Sequence, residues 1–230
     1  MTSRPLAPFV FATGNPDKAR EALEILRDAI ARPLVAQPLT FDETVYGYLI
    51  ADVEAFAEVV ATGCATLTVA PEVEETGSTL GANAQIKARG LHDCTGLTCV
   101  ADDTGLVVDA LDGRPGVHSA RYAGPHATYA DNVAGLLHEM NGASSRVARF
   151  VTAIHVVHRD GREHHIVGSV KGTIASYPSG EGTFGYDPVF VPAEGDGRTF
   201  AQMAPVDKHA LSHRGRALRK LCEYLLNEVE

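Results

Sequence analysis

Two β-type runs joined by an Asp160–Gly161 pair are the feature that most constrains the fold of this chain. They lie in FVTAIHVVHRDGREHHIVGSVKGTIA, residues 150–175, and an Asp-Gly pair between such runs indicates a tight hairpin. Elsewhere in the chain, β-type runs alternate with amphipathic helical patterns. Strands that alternate with helices, with a hairpin among them, predict an α/β fold built on a mixed sheet.

Helical periodicity predicts three helices, the first directly after a β-type run. In residues 17–32 apolar side chains recur every three or four positions, and Pro33 ends the run. Residues 78–92 and 212–229 repeat this pattern. The residues expected to face inward are Ala19, Ala22, Leu23, Leu26, Ile30, Leu80, Ala84, Ala88, Leu91, Ala217, Leu218, Leu221, Leu225 and Val229.

Residues 34–73 follow neither period cleanly. They combine a possible short helix near Val53 to Val60 with a β-like run from Ala65 to Val69. The chain shows no internal repeat and no low-complexity linker. With 230 residues, of which 45% are hydrophobic, it suits one globular unit of one or two lobes.

Charge and composition exclude several classes of function. A formal net charge of -9 argues against a nonspecific grip on nucleic acid, which needs a basic face. No apolar run approaches the roughly 20 residues of a membrane span, and MTSRPLAPFV lacks the apolar segment of a signal peptide. We therefore expect a cytoplasmic protein with neither a membrane nor a nucleic-acid partner. Its four cysteines form no C-x-x-C pair, so we expect reduced packing residues.

The segment FATGNPDKAREAL runs from a β-type stretch into the first helix. Its lysine, Lys18, lies near the helix N-terminus, where unpaired N–H groups and a partial positive charge attract a phosphate. The alternative is an ordinary helix start, in which Asn15 caps the helix, Pro16 occupies its first position and Lys18 is solvated. The stretch alone leaves both interpretations open.

The richest segment chemically is VADDTGLVVDALDGRPGVHSARYAG, residues 100–124. Here Asp102 and Asp103 follow an apolar strand, and the Thr–Gly pair after them predicts a turn before a second strand. A carboxylate at that strand end suits a hard cation such as Mg²⁺ or general-base chemistry toward water. The alternative is a turn in which the Asp side chains bond nearby backbone amides.

The segment EVEETGSTLGANAQIKAR supplies more polar groups at the start of the second helix. Glu74 and Glu75 precede the helix, while Asn83 and Lys87 are spaced i, i+4 and so share one face. If that face lies toward a ligand, Lys87 could contact an anion and one of the preceding glutamates could contact a metal. A solvated surface pair and loop charges are the alternative.

Two further segments lie downstream. In PSGEGTFGYDPVFVP, residues 178–192, Phe184 and Tyr186 suit stacking on a planar base, with Asp187 accepting from the base edge. The alternative is a tight turn whose aromatic rings pack into the core. The segment VDKHALSHRGRAL then places Lys208 in a loop and His213 and Arg214 at the start of the last helix, where a solvated face is the alternative for the arginine.

Four histidines of the predicted hairpin resemble a zinc cluster only superficially, because their alternation fits cross-strand pairs on the surface. They are His155, His158, His164 and His165.

Five ordered motifs resemble a known family, the inosine triphosphate pyrophosphatases, also called Ham1-like non-canonical purine nucleoside triphosphate pyrophosphatases. The motifs are ATGNPDK, EETGSTLGANAQIKAR, ADDTGLVVDALDGRPGVHSARYAG, GTFGYDPVF and KHALSHRGRAL. The resemblance covers residues 9 to about 226, apart from residues 34–70. It implies Mg²⁺-dependent hydrolysis of a nucleoside triphosphate between the α and β phosphates. It also implies an elongated two-lobed α/β fold around a long mixed sheet, usually dimeric, with the nucleotide in a central cleft.

The resemblance also implies roles for individual residues. It makes Asp103 the general base and a metal ligand, with Glu74 the favoured second ligand over Glu75, and it places Thr104 beside the substrate. The residues that it assigns to substrate binding are Thr13, Gly14, Asn15 and Lys18 for the triphosphate, Phe184, Gly185, Tyr186, Asp187 and Lys208 around the base and phosphates, and His213 and Arg214 at the purine edge. To these the i, i+4 spacing on the second helix adds Asn83 and Lys87.

Several departures from the family pattern bear on specificity. Thr104, Gln202 and His209 stand where the family usually has a serine, a glutamate, and an asparagine or serine. Residues 34–70 are an insertion by comparison with the usual shorter connection. Two other functions therefore stay open, namely a pyrophosphatase for another nucleotide and a nucleotide-binding module without turnover. A Rossmann dehydrogenase is disfavoured, because FATGNPDK lacks the G-x-G-x-x-G spacing.

Overall fold

The computed structural model of the chain describes residues 6–31, 33–52, 55–56, 67–71, 73–181 and 184–228. Most of the helix expected near Val53 to Val60 lies outside these residues, as do Ala65 and Thr66 of the expected β-like run. The rest of that run, residues 67–69, is a loop. A β prediction there was wrong, because a short apolar run also fits a loop that buries Leu67 against the core.

The described residues form one seven-stranded sheet in the order β2-β3-β1-β4-β5-β6-β7. In this sheet β1 pairs parallel with β4 and antiparallel with β3, which confirms the mixed α/β architecture. The strands are β1 (Phe9–Phe11), β2 (Leu34–Phe41), β3 (Thr44–Asp52), β4 (Cys99–Val108), β5 (Val147–Val157), β6 (Glu163–Ile174) and β7 (Phe190–Pro192).

The three predicted helices are confirmed. They are α1, α2 and α5 of the set α1 (Pro16–Ile30), α2 (Leu80–Thr95), α3 (Tyr129–Glu139), α4 (Pro205–Leu211) and α5 (His213–Asn227). Helix α3 was not predicted from the sequence, although it begins with a capping box formed by Thr128 and Asp131. The sequence analysis placed Lys208 in a loop, which was wrong because Pro205 starts a short helix that includes this lysine.

The hairpin of β2 and β3 was also missed by the sequence analysis. Its turn is formed by Asp42 and Glu43, both at positive φ, instead of the usual Asn-Gly or Asp-Gly pair. Pro38 lies inside β2, which is tolerated because β2 is the edge strand of the sheet. Neither an Asp-Glu turn nor a proline inside a strand is typical of a hairpin. The two strands are therefore identified only by their pairing in the structure.

Strand β4 runs without interruption through Asp102, Asp103 and Thr104. The predicted turn at this point was wrong. Because β4 lies between β1 and β5 in the sheet, backbone pairing on both edges outweighs the turn preference of Asp, Thr and Gly. Adjacent strand residues point to opposite faces, so the two carboxylates do point in different directions, as expected.

The hairpin of β5 and β6 is confirmed, with Gly161 at positive φ in its turn. The surface placement of its histidines was wrong for two of them, since His155 and His158 are buried. They are accommodated by polar partners, because His155 Nε2 lies 2.7 Å from Glu163 Oε2 and His158 Nε2 lies 2.7 Å from the Tyr224 hydroxyl. Within the described residues, no group of three or more His, Cys, Asp or Glu side chains is arranged to hold a metal.

The chain divides into two compact units. The first comprises residues 1–103, 153–166 and 218–230, and the second comprises residues 104–152 and 167–217. Each has its own apolar core, with Val10 and Leu91 in the first and Phe150 and Phe190 in the second. Among the helices that the structure describes, none is long and apolar enough to cross a membrane.

Candidate active site

The start of α1 has the predicted cap in the first unit. The Asn15 side chain accepts hydrogen bonds from the backbone N–H groups of Asp17 and Lys18, at 2.9 and 3.2 Å. Pro16 occupies the first turn, and Thr13 Oγ1 accepts from the backbone N–H of Asn15. This arrangement presents a helix N-terminus whose partial positive charge suits an anion.

Lys18 is not a solvated surface residue. Its Nζ lies 3.4 Å from Oδ1 of Asp102, and its side chain is only 19% exposed. Asp102 is itself almost completely buried. The alternative interpretation of Lys18 was therefore wrong, because the lysine reaches inward to a carboxylate of β4.

Asp103 lies at the centre of a second polar group in the first unit. Its Oδ1 lies 3.1 Å from Lys87 Nζ, and its Oδ2 accepts a hydrogen bond of 3.3 Å from Asn83 Nδ2. Lys87 Nζ also lies 3.5 Å from Oε1 of Glu75. We call Asn83, Lys87, Asp103 and Glu75 the carboxylate–lysine cluster.

The i, i+4 pair on α2 faces this cluster, not solvent. Asn83 is buried, and the side chain of Lys87 is only 14% exposed. Asn83 Oδ1 also accepts from the backbone N–H of Gly77 at 2.8 Å, which orients its amide toward Asp103. The surface-pair alternative was wrong, because the helix face carrying both residues turns toward β4.

Of the two glutamates before α2, Glu75 is the one in contact with Lys87. Both glutamates are exposed, and the backbone carbonyl of Glu74 accepts from the backbone N–H of Thr76. The resemblance favoured Glu74 over Glu75, and this geometry favours Glu75 instead. The choice depends on which side chain reaches Lys87, and two adjacent residues of the same type do not encode that.

Burial and charge act against each other in the carboxylate–lysine cluster. Burial raises the pKa of Asp103 above its usual range, although Lys87 and Lys18 both act to lower it. For Lys87, burial alone would lower the pKa, but Asp103, Asp102 and Glu75 together raise it above the ordinary value. Asp103 is thus more basic than a solvated aspartate, while Lys87 keeps its positive charge.

A cavity of about 200 Å³ opens in the first unit. Thr13 and Gly14, which precede α1, line it together with Glu75 and Lys87 of the carboxylate–lysine cluster. The remaining lining residues are Ala12, Thr44, Val45, Tyr46, Val73 and Leu91.

Residues 44–46 come from the hairpin of β2 and β3, and the sequence analysis did not propose them as part of a site. The approach is close, since a Cβ added at Gly14 would lie 2.9 Å from the backbone oxygen of Val45. Only glycine leaves room for this contact, which is one physical reason for glycine at that position.

A separate polar group lies in the second unit. Lys208 Nζ lies 2.7 Å from Oδ2 of Asp187, and both side chains are largely buried. The same ammonium lies 5.2 Å from the ring centre of Phe184, and Cζ of Arg214 lies 5.5 Å from it. We call Phe184, Asp187, Lys208 and Arg214 the aromatic–cation cluster.

Tyr186 does not belong to the aromatic–cation cluster. Its ring is buried in the core of the second unit, and its hydroxyl donates a 2.9 Å hydrogen bond to the backbone oxygen of Ser119. Its expected stacking on a base was wrong, because the chain reverses at Gly185, which has positive φ, and turns the tyrosine inward. Phe184, by contrast, is only half-buried, and its ring meets that of Tyr129 edge-on, with ring centres 5.5 Å apart.

His213 and Arg214 open α5 and are both buried. The imidazole of His213 stacks on Phe150, with ring centres 4.4 Å apart. Arg214 donates from Nη2 to Oγ1 of Thr104 at 3.3 Å. A solvated face for Arg214 was therefore the wrong alternative.

The mixed sheet with its flanking helices defines an α/β protein, in which a capped helix N-terminus and a carboxylate–lysine cluster lie in the same unit. Residues 9–224 match the model of the Ham1 family. The chain belongs to this family.

Named relatives agree with this assignment. The dITP/XTP pyrophosphatase of Symbiobacterium thermophilum is 50% identical over 158 residues, covering 68% of this chain and 78% of that protein. The dITP/XTP pyrophosphatase of Chlorobaculum tepidum is 40% identical over 242 residues, covering 96% of this chain and 95% of that protein.

Solved structures agree as well. The HAM1 protein from Coxiella burnetii aligns with a TM-score of 0.72 and 34% identity, over 96% of this chain and 98% of that one. The nucleoside-triphosphatase and dITP/XTP pyrophosphatase from Mycobacterium abscessus aligns with a TM-score of 0.62 and 37% identity, over 92% of this chain and 95% of that one.

Proposed function

We propose that this chain hydrolyses non-canonical purine nucleoside triphosphates such as dITP, ITP and XTP between the α and β phosphates. The products are the nucleoside monophosphate and pyrophosphate. The observation that carries the proposal is the contact of Lys87 with Asp103, because Lys87 also lines one cavity together with Glu75, Thr13 and Gly14. Membership of a family whose named relatives are dITP/XTP pyrophosphatases supports the choice of substrate.

In the proposed reaction Asp103 is the general base. It takes a proton from a water molecule whose oxygen forms a bond to the α phosphorus, while the bond from that phosphorus to the α–β bridging oxygen breaks and pyrophosphate leaves. Hydrogen bonds from Asn83 and Lys87 hold the Asp103 carboxylate in place for this role. Lys18 and Lys87 supply positive charge where negative charge develops on the phosphates.

Asp103 and Glu75 would hold the metal ion. Two carboxylates that share one lysine provide hard oxygen ligands, and Mg²⁺ typically binds one or two carboxylates while phosphate oxygens and water complete its octahedron. When bound, Mg²⁺ would neutralise phosphate charge and polarise the phosphoryl oxygens. The support is the chemistry of this donor set, in which Glu75 takes the role that the sequence resemblance gave to Glu74.

The aromatic–cation cluster and the start of α5 would recognise the base. Phe184 offers a ring for stacking, while Lys208 and Arg214 offer positive charge and hydrogen-bond donors. His213, stacked on Phe150, opens the same helix as Arg214. We propose that these residues read the oxygen-rich edge of a purine that carries a 6-oxo group.

We also propose that the enzyme acts in the cytoplasm as a homodimer and binds no nucleic acid. The net charge of -9 supports the last point, because it disfavours a polyanion of any length. Local lysines, by contrast, suffice for one triphosphate.

The test is to incubate the purified chain with Mg²⁺ and a panel of canonical and non-canonical nucleoside triphosphates, and to assay pyrophosphate and orthophosphate separately. We expect pyrophosphate and a monophosphate, fastest from dITP, ITP or XTP, and loss of turnover on chelation. Tight binding without turnover across the panel would instead identify a nucleotide-binding module. Orthophosphate as the first product would mean that a different bond is cleaved, and preference for another nucleotide would identify a specialised enzyme.

A further inference from the structure

Two threonine hydroxyls meet inside the second unit. Oγ1 of Thr104, on β4, lies 2.8 Å from Oγ1 of Thr152 on the neighbouring strand β5. Thr152 is completely buried, so water does not compete for its hydroxyl. A hydroxyl pair at this distance in a buried setting is a well-formed hydrogen bond.

The same oxygen of Thr104 also receives Arg214. A guanidinium has donors only, so in the 3.3 Å contact Arg214 Nη2 donates and Thr104 Oγ1 accepts. The two contacts form a chain from Arg214 through Thr104 to Thr152. Whichever threonine donates to the other, both hydrogen bonds require Thr104 Oγ1 to stay in one place.

We propose that Thr152 is a positioning residue, whose hydroxyl fixes the side-chain rotamer of Thr104 and thereby the place of the Arg214 guanidinium. The methyl and the hydroxyl of a threonine are similar in size, so packing alone distinguishes poorly between rotamers that exchange them. A hydrogen-bonding partner makes that distinction. The proposal rests on the proposed function, in which Arg214 reads the base, and on the place beside the substrate that the sequence resemblance gives to Thr104.

The position of Thr152 separates this role from direct binding. Its buried hydroxyl is committed to Thr104, so its effect on a substrate has to pass through Thr104. Nothing in the local sequence RFVTAIH marks this threonine, because it alternates within a strand like any inward-facing residue.

Thr152→Val is the direct test, since valine keeps the shape and removes the hydroxyl. We expect the KM for dITP to rise about tenfold, equivalent to ~1.4 kcal/mol, with kcat changed less than about twofold. Thr152→Ser should return KM to within about twofold of the wild-type value. Thr98→Val is the matched control, since Thr98 is a buried threonine of the first unit whose hydroxyl accepts from the backbone of Arg159.

A double-mutant cycle tests whether Thr152 acts through Thr104. The variant Thr104→Val/Thr152→Val should resemble Thr104→Val alone, because the second substitution has nothing left to disturb. Additive losses would overturn the proposal, as would an unchanged KM in Thr152→Val or a serine variant that fails to rescue. If Thr152→Val does not fold, Thr152→Cys keeps the volume with a weak hydrogen-bonding thiol, and its KM should lie between those of the serine variant and Thr104→Val.

Failure of this inference is distinguishable from failure of the proposed function. If the wild-type chain releases pyrophosphate and the Thr152 variants match it, only the positioning role fails. If the wild-type chain binds dITP without turning it over, the dissociation constant for dITP, measured by calorimetry, is compared among the variants instead of KM. The same tenfold weakening in Thr152→Val and its recovery in Thr152→Ser would then support the inference, and equal constants would overturn it.

Discussion

Lys87 Nζ lies 3.1 Å from Asp103 Oδ1, which joins the middle of α2 to the middle of β4 in the first unit. The lysine also contacts Glu75, so one ammonium holds two carboxylates together. Two carboxylates that would otherwise repel thereby share one positive charge. This relationship leads directly to two of the predictions.

Asp103→Asn should lower kcat by at least about a hundredfold, which is the usual contribution of a general base. Asparagine keeps the shape and the contact with Asn83 but does not accept a proton from water. The measurement is pyrophosphate release from dITP at saturating Mg²⁺. Asp109→Asn is the control, because Asp109 is half-exposed and pairs with Arg149 on the surface. Equal activity in Asp103→Asn and the wild type would remove Asp103 from the mechanism.

Glu75→Gln should weaken the response to Mg²⁺, while Glu74→Gln should leave it unchanged. Only Glu75 contacts Lys87 of the carboxylate–lysine cluster. We expect the Mg²⁺ concentration for half-maximal rate to rise at least about tenfold in Glu75→Gln, or ~1.4 kcal/mol. A Mg²⁺ titration of both variants is the measurement. The reverse pattern would restore Glu74 as the ligand that the sequence resemblance favoured.

Lys18→Ala should lower kcat/KM by at least about tenfold, or ~1.4 kcal/mol of transition-state stabilisation. The lysine is largely buried beside Asp102 and close enough to Asp103 to act on its pKa. Arg20→Ala is the matched control, since Arg20 lies in the same helix turn but is mostly exposed and pairs with Asp17. Steady-state kinetics with dITP compare the two variants. Equal values of kcat/KM in Lys18→Ala and Arg20→Ala would mean that Lys18 has no role in catalysis.

Phe184→Leu and Tyr186→Phe should have opposite signatures. Loss of the Phe184 ring should raise the KM for dITP about tenfold, since stacking on a base contributes ~1–3 kcal/mol. Loss of the Tyr186 hydroxyl should leave KM unchanged and lower the free energy of unfolding by ~1 kcal/mol, because it removes the hydrogen bond to Ser119. Steady-state kinetics and urea unfolding of both variants are the measurements. A large rise in KM in Tyr186→Phe would contradict the prediction and indicate that Tyr186 contacts the base.

Acidification should destabilise the protein through Glu163 and His155. Burial opposes ionisation of Glu163, but hydrogen bonds from Arg89, Gln85 and His155 lower its pKa from 4.5 to about 2. Its stabilising contribution is therefore complete above pH 4.5 and is lost as the pH falls toward about 2. Burial also lowers the pKa of His155 below 6.5, so protonation of this group on acidification opposes folding too.

Urea unfolding of the wild type and Glu163→Gln between about pH 2 and pH 5, the range in which the Glu163 contribution is lost, measures this effect. The free energy of unfolding should rise with pH in the wild type more steeply than in the variant. The charged and titratable groups that act on this pair are Arg89 and His165, and Arg89→Ala should shrink the difference. Identical slopes in wild type and Glu163→Gln would contradict the prediction.

Local sequence was sufficient for several elements of this fold. The Asp160–Gly161 turn, the Asn15 cap and the amphipathic faces of α1, α2 and α5 depend on residues only a few positions apart. Five ordered motifs also identified the family, because each is a local string. These features were predicted since the interactions that produce them act within one or two turns of chain.

Tertiary structure alone decided the rest, since it brings together residues far apart in sequence. Pairing with β1 and β5 made β4 continuous through Asp103. Contact with Lys87 distinguished Glu75 from Glu74. The Tyr186 ring packs in the core of the second unit and not in the base site that the sequence predicted for it. The partner of Thr104 lies 48 positions away on another strand. Burial and hydrogen-bond pairing depend on neighbours in three dimensions. The sequence therefore indicates which residues could form the site, but only the tertiary structure decides which of them do.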